Sequence, residues 1–599
     1  MSNSIPSSPS SNNPTGDAPK HASDQVAAQS AESEAKHSAL NSDENRVSID
    51  KLNVGFDTDG GFVHAVRGVN LDVRQGEIVA LVGESGSGKT VTARSILGLV
   101  GDTAHSEGIV LVEGADVLTK SGSELRKMRG SDVSMVFQEP SSSMNPVFPI
   151  WWQMAEGLRA HNPKIKKKEI RERCIRALTA VGIPDPEKRI DRYPHEFSGG
   201  QKQRIMIAMA LELGAKTIVA DEPTTALDVT VQAEILQLLR NLRDEYGTSI
   251  VIITHNMGVV ADLADTVAVM YKGRIIERAP VRELFANPQE DYTKKLLGAV
   301  PHLGAKSLTA DYTAEDFQEL DSREVLVQAK GLEITYPGRL GAPSFKAVKG
   351  IDFSIHKGEV FGLVGESGSG KTTIGRAMVG LEKTTGGSLN VLGQEMRGIK
   401  GKQMRELRKR VGFIFQDPAT SFNPYFTIEQ CIAEPLLINR PDVTAAQRRE
   451  KVKELLEAVE LPANYAGRYP HELSGGQRQR VSLARGLVLN PELVIADEPT
   501  SALDVSVQAV VLELFQDLQK EFGFAALFIS HDLAVIDMVS HTVGVLYHGD
   551  LVESGRGVQV MREPEDDYTK KLVASLPVPD PVEQKKRREH LAAIRGQLV

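Results

Sequence analysis

Residues 77–100 read EIVALVGESGSGKTVTARSILGLV, and residues 359–381 read EVFGLVGESGSGKTTIGRAMVGL. Each stretch begins as a short apolar run of strand composition, passes through a glycine-rich loop and leaves in a helix-like segment. The loop fits GxxxxGK[ST] from Gly83 to Thr90 and again from Gly365 to Thr372. Glycines let the backbone curl until successive N–H groups point inward, which suits phosphate oxygens, and the following helix turns its positive end to the same anion. We assign Gly83, Ser85, Gly86, Gly88, Lys89 and Thr90 to one such cradle, and Gly365, Ser367, Gly368, Gly370, Lys371 and Thr372 to the other. The two lysines reach for the β- and γ-phosphates, and the two threonine hydroxyls hold Mg²⁺. A single match would read equally well as a glycine-rich turn. Two matches, each between a strand and a helix, decide for phosphate.

Working outward from these loops, the chain repeats. Ser-Gly-Gly-Gln starts at Ser198 and Ser474, Ala-Asp-Glu-Pro-Thr carries Asp221 and Asp497, and a Thr/Ser-His pair ends at His255 and His531. The loops are 282 residues apart and the three later motifs 276 apart, so a drift of six residues lies between the loop and Ser-Gly-Gly-Gln. This is a tandem duplication of one domain of about 250 residues, a far longer period than a solenoid repeat uses. Apolar runs such as TIVADE, SIVIITH, LVIADE and AALFISH alternate with helical stretches, which predicts an α/β fold with a buried, mainly parallel sheet and a helical insert before Ser-Gly-Gly-Gln. The expected organisation is a disordered tail over 1–46, a domain over 47–301, a polar linker over 302–324, a second domain over 325–577 and a charged tail over 578–599. The first 46 residues are Ser, Asn, Ala and Pro with almost no large apolar side chain, too little to offset the entropy of ordering.

Composition excludes several classes. Of 599 residues 41% are hydrophobic and 25% charged, with a formal net charge of −9, which argues against nucleic acid as a partner. Cys174 and Cys431 form no CxxC pair, so zinc and redox modules are excluded. No apolar run reaches the ~18 residues of a spanning helix, and the N-terminus lacks a signal-peptide core, so a cytosolic chain is expected.

The remaining motifs supply chemistry. Asp221 and Asp497 end apolar strands, where a carboxylate binds Mg²⁺ through its water shell. Glu222 and Glu498 follow, placed to take a proton from, or orient, water attacking a γ-phosphate. His255 and His531 aim an imidazole at the same phosphate. Gln138 and Gln416 end the runs VSMVF and VGFIF, where an amide bonds Mg²⁺ or the attacking water. In isolation an Asp-Glu pair is a strand end and a histidine a structural residue; equal spacing in both copies favours function. Ser198, Gly199 and Gly200, and Ser474, Gly475 and Gly476, form a second anion-binding helix start, which suggests nucleotide shared between domains.

This set resembles the ATP-binding cassette (ABC) ATPases, a tandem pair of P-loop NTPase domains. The resemblance implies that two domains pack head to tail around two ATP. Lys89, Thr90, Gln138, Asp221, Glu222 and His255 then face Ser474, Gly475 and Gly476. Lys371, Thr372, Gln416, Asp497, Glu498 and His531 face Ser198, Gly199 and Gly200. Phe56 and Tyr336 take the place of the aromatic that stacks on adenine, and the Ala-Leu-Asp triplets ending at Asp228 and Asp504 that of the loop coupling the two sites. FQEPSSSMNP (137–146), FQDPATSFNP (415–424), NPQEDYTKKLLGAVP (287–301) and EPEDDYTKKLVASLP (563–577) resemble the peptide and nickel importers. The implied function is ATP hydrolysis at the cytoplasmic face of the membrane, energising an importer of peptides or a related solute. Its implied partners are two transmembrane permease subunits and, indirectly, an extracytoplasmic solute-binding protein. A soluble tandem ABC protein acting on ribosomes is the alternative; it calls for a long charged helical linker, and the connector here is short and not basic.

Overall fold

The computed structural model describes residues 44–597, except 59, 226, 302, 304–306, 311, 339–342 and 502. In the first domain the strands are β1 (Asn45–Thr58), β2 (Gly61–Arg74), β3 (Ile78–Val82), β4 (Ala104–Val112), β5 (Ala115–Asp116), β6 (Val133–Val136), β7 (Thr217–Asp221), β8 (Ser249–Ile253), β9 (Thr266–Tyr271) and β10 (Arg274–Pro280). The apolar run before the first glycine loop is β3, every residue of it buried. It lies inside a six-stranded sheet of order β10-β9-β3-β8-β7-β6, parallel throughout except for β10. Alternate residues of its strands serve different cores, as a two-residue period dictates. Ile78, Ala80 and Val82 join the helical side, with Ile205, Leu239 and Val260. Val79 and Leu81 join a second sheet through Ile49, Val54 and Leu71. That second sheet, β2-β1-β4-β5, is antiparallel and was not anticipated. Its strands bury one face, so they read as weak alternation and lack the continuous apolar signal of the parallel set.

The second domain repeats the plan. Val360–Gly365 lies between Ala525–Ile529 and Thr542–Tyr547 in a six-stranded sheet, and Val325–Tyr336 and Phe345–His356 lead the antiparallel one.

The segments between and after the domains are more than linker and tail. β1 begins at Asn45, two residues before the expected domain start, and Arg46 pairs with Glu113 at 2.8 Å. The rest of the expected tail, residues 1–43, lies outside the described residues. The connector carries a helix, Ala314–Ser322, started by a capping box on Thr313. It docks on the second domain. Leu308 donates its N–H to Asp537 O (3.3 Å), and the Arg556 guanidinium lies 4.5 Å from the Phe317 ring. Val360 donates to His541 Nδ1 (3.0 Å), which leaves Nε2–H to face the Tyr312 hydroxyl at 3.2 Å. The charged C-terminal stretch forms a helix, Pro581–Gln597, and returns to the first domain, where Arg588 bonds both Asp262 O and Asp262 Oδ1 at 3.2 Å.

Asp262 is the buried centre of that contact. Its side chain is 4% exposed and also accepts from Arg240 at 2.8 Å, itself 9% exposed. Asp262→Ala leaves a buried guanidinium without its anion, an expected cost of about 3 kcal/mol. Arg588→Ala, at a site open to solvent, is expected to cost under about 1 kcal/mol. Thermal unfolding of the two variants should therefore show a large and a small downward shift, in that order.

Candidate active site

Four loops converge at the carboxyl edge of the parallel strands, where open α/β sheets form their binding crevice. The glycine loop leaves β3, Asp221 ends β7, His255 follows β8 and Gln138 follows β6. The first loop requires glycine at its ends. At Gly83 (φ 145°) a Cβ would sit 2.2 Å from Met270 O, and at Gly88 (φ 103°) 2.5 Å from Ala65 O. Gly365 and Gly370 repeat both features.

Inside the curl, Lys89 Nζ donates to the carbonyls of Gly83 (2.7 Å) and Glu84 (2.8 Å), and Lys371 Nζ to those of Gly365 (2.8 Å) and Glu366 (2.7 Å). Burial lowers the pKa of both lysines. Asp504, Glu222, Asp221 and Glu84 pull Lys89 back up, and Glu498, Asp497, Asp228 and Glu366 pull up Lys371. Each lysine is a desolvated cation held among carboxylates and bonded to two loop carbonyls. The buried Ser87 hydroxyl has no partner among the described residues, so the cradle keeps a polar group in reserve. Thr90 Oγ1 donates to Asp221 Oδ1 at 3.3 Å and Thr372 Oγ1 to Asp497 Oδ1 at 2.8 Å. These hydroxyl and carboxylate oxygens are the hard donors a Mg²⁺ ion takes.

Glu222 and Glu498 organise the rest. Both have left-handed backbone, φ 46° and 45°, rare for a side-chain-bearing residue and held by the neighbouring strand through N–H bonds to Ile253 O and Ile529 O, both 2.9 Å. The Glu222 carboxylate accepts from Gln138 Nε2 (2.8 Å) and Thr225 Oγ1 (2.9 Å) and faces His255 Nδ1 at 3.1 Å. Glu498 accepts from Gln416 Nε2 (2.9 Å) and faces His531 Nδ1 at 3.3 Å. Burial raises the pKa of Glu222, but the hydrogen bonds of His255 and Thr225 and the charges of His255 and Lys89 outweigh it and hold the carboxyl below its ordinary range. Glu498 is lowered in the same way, against burial, by His531, Lys371 and Gln416. Burial opposes charge on both histidines as well, and the facing glutamates raise them in net. Asp221 moves the other way, raised by burial and then by the adjacent Glu222 charge. Thr225 escaped the sequence reading; its counterpart Ser501 bonds Glu498 O instead (3.2 Å).

The two Ser-Gly-Gly-Gln segments start helices. Ser198 and Ser474 cap Gly199–Glu212 and Gly475–Leu487, accepting from the N–H of Gln201 and Gln477. Gly199 and Gly475 open these helices, while Gly200 and Gly476 admit a neighbouring one: a Cβ there would meet Val231 at 2.4 Å or Val507 at 2.3 Å. Both Ser-Gly-Gly segments are thus placed at helix starts, and among the described residues no hydrogen bond joins them to a glycine loop. Tyr336 lies 3.3 Å from Thr373, beside the second loop, whereas Phe56 packs against the core of its own domain.

Contact between domains runs through the loops ending in Asp228 and Asp504. Ser85 N–H of the first glycine loop donates to Asp504 Oδ1 (3.0 Å), and Ser506 Oγ donates to Glu84 Oε1 (2.8 Å). In the other direction Thr230 Oγ1 donates to Glu366 Oε1 (2.7 Å), while Asp228 caps its own helix through Val231 N–H (3.0 Å). A cavity of about 150 Å³ between the domains is lined by matched residues from both, among them His255 and His531, Asn256 and Asp532, and Pro301 and Pro577.

Comparison with known proteins agrees with this geometry. The model of the ABC transporter family matches residues 66–225 and 348–501, and that of the oligopeptide/dipeptide transporter C-terminal region matches 276–321 and 552–597. The chain is 43% identical over 579 residues to a glutathione import ATP-binding protein, GsiA, of Pectobacterium atrosepticum, covering 92% of each. It is 44% identical over 536 residues to the peptidoglycan transport ATP-binding protein YejF of Agrobacterium fabrum, covering 88% of this chain and 96% of that one. Among solved structures, the archaeal ribosome recycling factor aABCE1, in complex with the ribosomal stalk protein aP1, aligns over 81% of this chain and 86% of its own with a TM-score of 0.52. At 21% identity that likeness is one of fold alone. With two complete ATP-binding cassettes, each followed by the C-terminal region of the oligopeptide/dipeptide transporters, the chain belongs to the ATP-hydrolysing subunits of that ABC transporter family.

Proposed function

We propose that the chain powers import of a peptide-class solute, glutathione and short peptides included, by hydrolysing ATP at two composite sites and passing the motion to separate permease subunits. The observation that carries this reading is the doubled set of lysine and threonine at helix starts with aspartate, glutamate, glutamine and histidine at or just after strand ends, in a chain alike over nine-tenths of its length to a glutathione import protein. Lys89 and Lys371 leave their carbonyls for the β- and γ-phosphates. Thr90 with Asp221 and Gln138, and Thr372 with Asp497 and Gln416, hold Mg²⁺, which neutralises charge developing between the phosphates. Glu222 and Glu498 take the proton of the attacking water, and His255 and His531 orient them and face the γ-phosphate. Ser474, Gly475 and Gly476 complete the Lys89 site, and Ser198, Gly199 and Gly200 the Lys371 site. The Asp504–Ser85 and Thr230–Glu366 bonds support that head-to-tail pairing. Tyr336, beside the second loop, stacks on adenine there, and Phe56, only partly buried against its core, takes the matching place in the first site.

No helix among the described residues is long and apolar enough to cross a membrane, so the membrane path falls to partner subunits at whose cytoplasmic face this chain sits. An apolar groove of about 820 Å³ in the first domain, lined by Leu97, Met135, Phe137, Met206 and Met209, ends beside Gln138 and suits a permease segment. In the second domain Arg485 takes the place of Met209 and stacks 4.4 Å from Phe422, a difference in chemistry that supports unlike permease subunits. A solute-binding protein outside the membrane delivers the solute.

Affinity capture tests the reading. With Glu222→Gln and Glu498→Gln combined, the ATP-loaded chain is expected to retain two multi-span membrane proteins from detergent-solubilised membranes. Recovery of ribosomes without membrane partners would replace the transport reading by the ribosomal one.

A further inference from the structure

The DYTKK sequence that marks both C-terminal segments does more than pack a helix on its domain. Tyr292 stands near the start of the helix Asp291–Gly298, and its hydroxyl accepts the N–H of Glu84, second residue of the glycine loop, at 3.0 Å. Tyr568, in the helix Asp567–Ala574, accepts the N–H of Glu366 at 3.3 Å. Each phenol ring is held by a second one, Tyr271 at 4.4 Å from Tyr292 and Tyr547 at 4.0 Å from Tyr568, so the hydroxyl is aimed by packing.

The bonded N–H lies in a telling peptide unit. The N–H of Glu84 and the C=O of Gly83 belong to one rigid plane. That carbonyl accepts Lys89 Nζ while the N–H is fixed by Tyr292. The next carbonyl, of Glu84 itself, accepts Lys89 as well, and the Glu84 carboxylate accepts Ser506 Oγ from the opposite domain. Every polar group of Glu84 is therefore engaged: N–H by the C-terminal segment, C=O by the site lysine, carboxylate by the other domain. Glu366 repeats the arrangement with Tyr568, Lys371 and Thr230.

We propose that Tyr292 and Tyr568 are positioning residues of the two ATP sites, each fixing through Glu84 or Glu366 the peptide on which the site lysine waits, and that the C-terminal segments thereby set nucleotide affinity. The inference rests on Lys89 and Lys371 as the phosphate-binding groups. Without the hydroxyl the peptide plane is free to turn, and ATP must order the loop as it binds. The carboxylate links to Ser506 and Thr230 extend the same control across the domain boundary, so that each loop is braced by its own C-terminal segment and by the opposite domain.

The test is equilibrium binding of N-methylanthraniloyl-ATP to the full chain with one site disabled. In the Lys371→Ala chain, Tyr292→Phe is expected to weaken binding about fivefold, the scale of one neutral hydrogen bond. Tyr568→Phe should do the same in the Lys89→Ala chain, while the crossed combinations change by less than half as much and unfolding midpoints stay at the parent value. Phenylalanine keeps the ring stack, so a packing role alone predicts no loss. Equal weakening at both sites, or parent affinity in both matched pairs, overturns the proposal. The Lys89→Ala, Lys371→Ala double variant separates the two layers: probe binding at wild-type affinity there would overturn the lysine assignment itself.

Discussion

Replacing Glu222 and Glu498 together by Gln is expected to cut steady-state ATP turnover by about a thousandfold, within the range a positioned general base supplies. ATP should remain bound. Glutamine keeps the shape and can still accept from Gln138 and Thr225, so the site keeps its geometry. It removes a buried negative charge next to where the γ-phosphate must lie, which leaves affinity unchanged or tighter. The substitution also strips His255 of the anion that raises its pKa, so the imidazole loses its proton at lower pH than in the parent. Phosphate release and recovery of intact radiolabelled ATP after rapid filtration check both halves. Turnover within tenfold of wild type would remove the glutamates from the role of base. Loss of turnover together with loss of bound ATP would mean that they chiefly hold the site together.

Much of this site was legible because its groups sit at the ends of local elements. A continuous apolar run followed by a glycine loop defines β3 and its phosphate cradle from neighbours in sequence alone, and β7 and β8 likewise deliver Asp221 and His255 to one edge. Equal spacing in two copies turned weak dipeptides into a constellation, and the fold brings Glu222 beside His255 and Glu498 beside His531. What stayed hidden depends on contacts between distant segments. Tyr292 reaches Glu84 across 208 positions, and nothing in the helix Asp291–Gly298 says where its first turn will point. The connector read as polar linker because its few large apolar groups are scattered among polar ones, yet Tyr312 and Phe317 both find partners on the second domain. The Asp228 and Asp504 triplets are identical in sequence but not in use. One caps its helix and the other crosses to Ser85, a difference decided by how the domains meet.

Lys89→Ala combined with Lys371→Ala should weaken ATP binding by at least about a hundredfold, since each change deletes charge-assisted bonds to phosphate in a desolvated pocket. The loss exceeds that of a surface lysine because of what remains. Around the vacated first site stand Glu84, Asp221, Glu222 and Asp504, and an anionic nucleotide would meet four carboxylates with their cation gone. Arginine should not rescue it: the compact ammonium donates to the successive Gly83 and Glu84 carbonyls of one tight loop, whereas a guanidinium is larger, planar and fixed in the directions of its donors. In the parent, burial depresses the lysine pKa, so the ammonium is lost as pH rises from a point below the ordinary lysine value of 10.5. ATP affinity should accordingly decline on the alkaline side before free lysine would titrate, and the alanine variants should lack that decline. Asp504 comes from the second domain and is the foremost of the charges that keep Lys89 protonated. Asp504→Asn removes that charge while keeping the side chain's shape, so the alkaline decline should begin at lower pH in that variant, which ties the charge state of one domain's lysine to a carboxylate of the other.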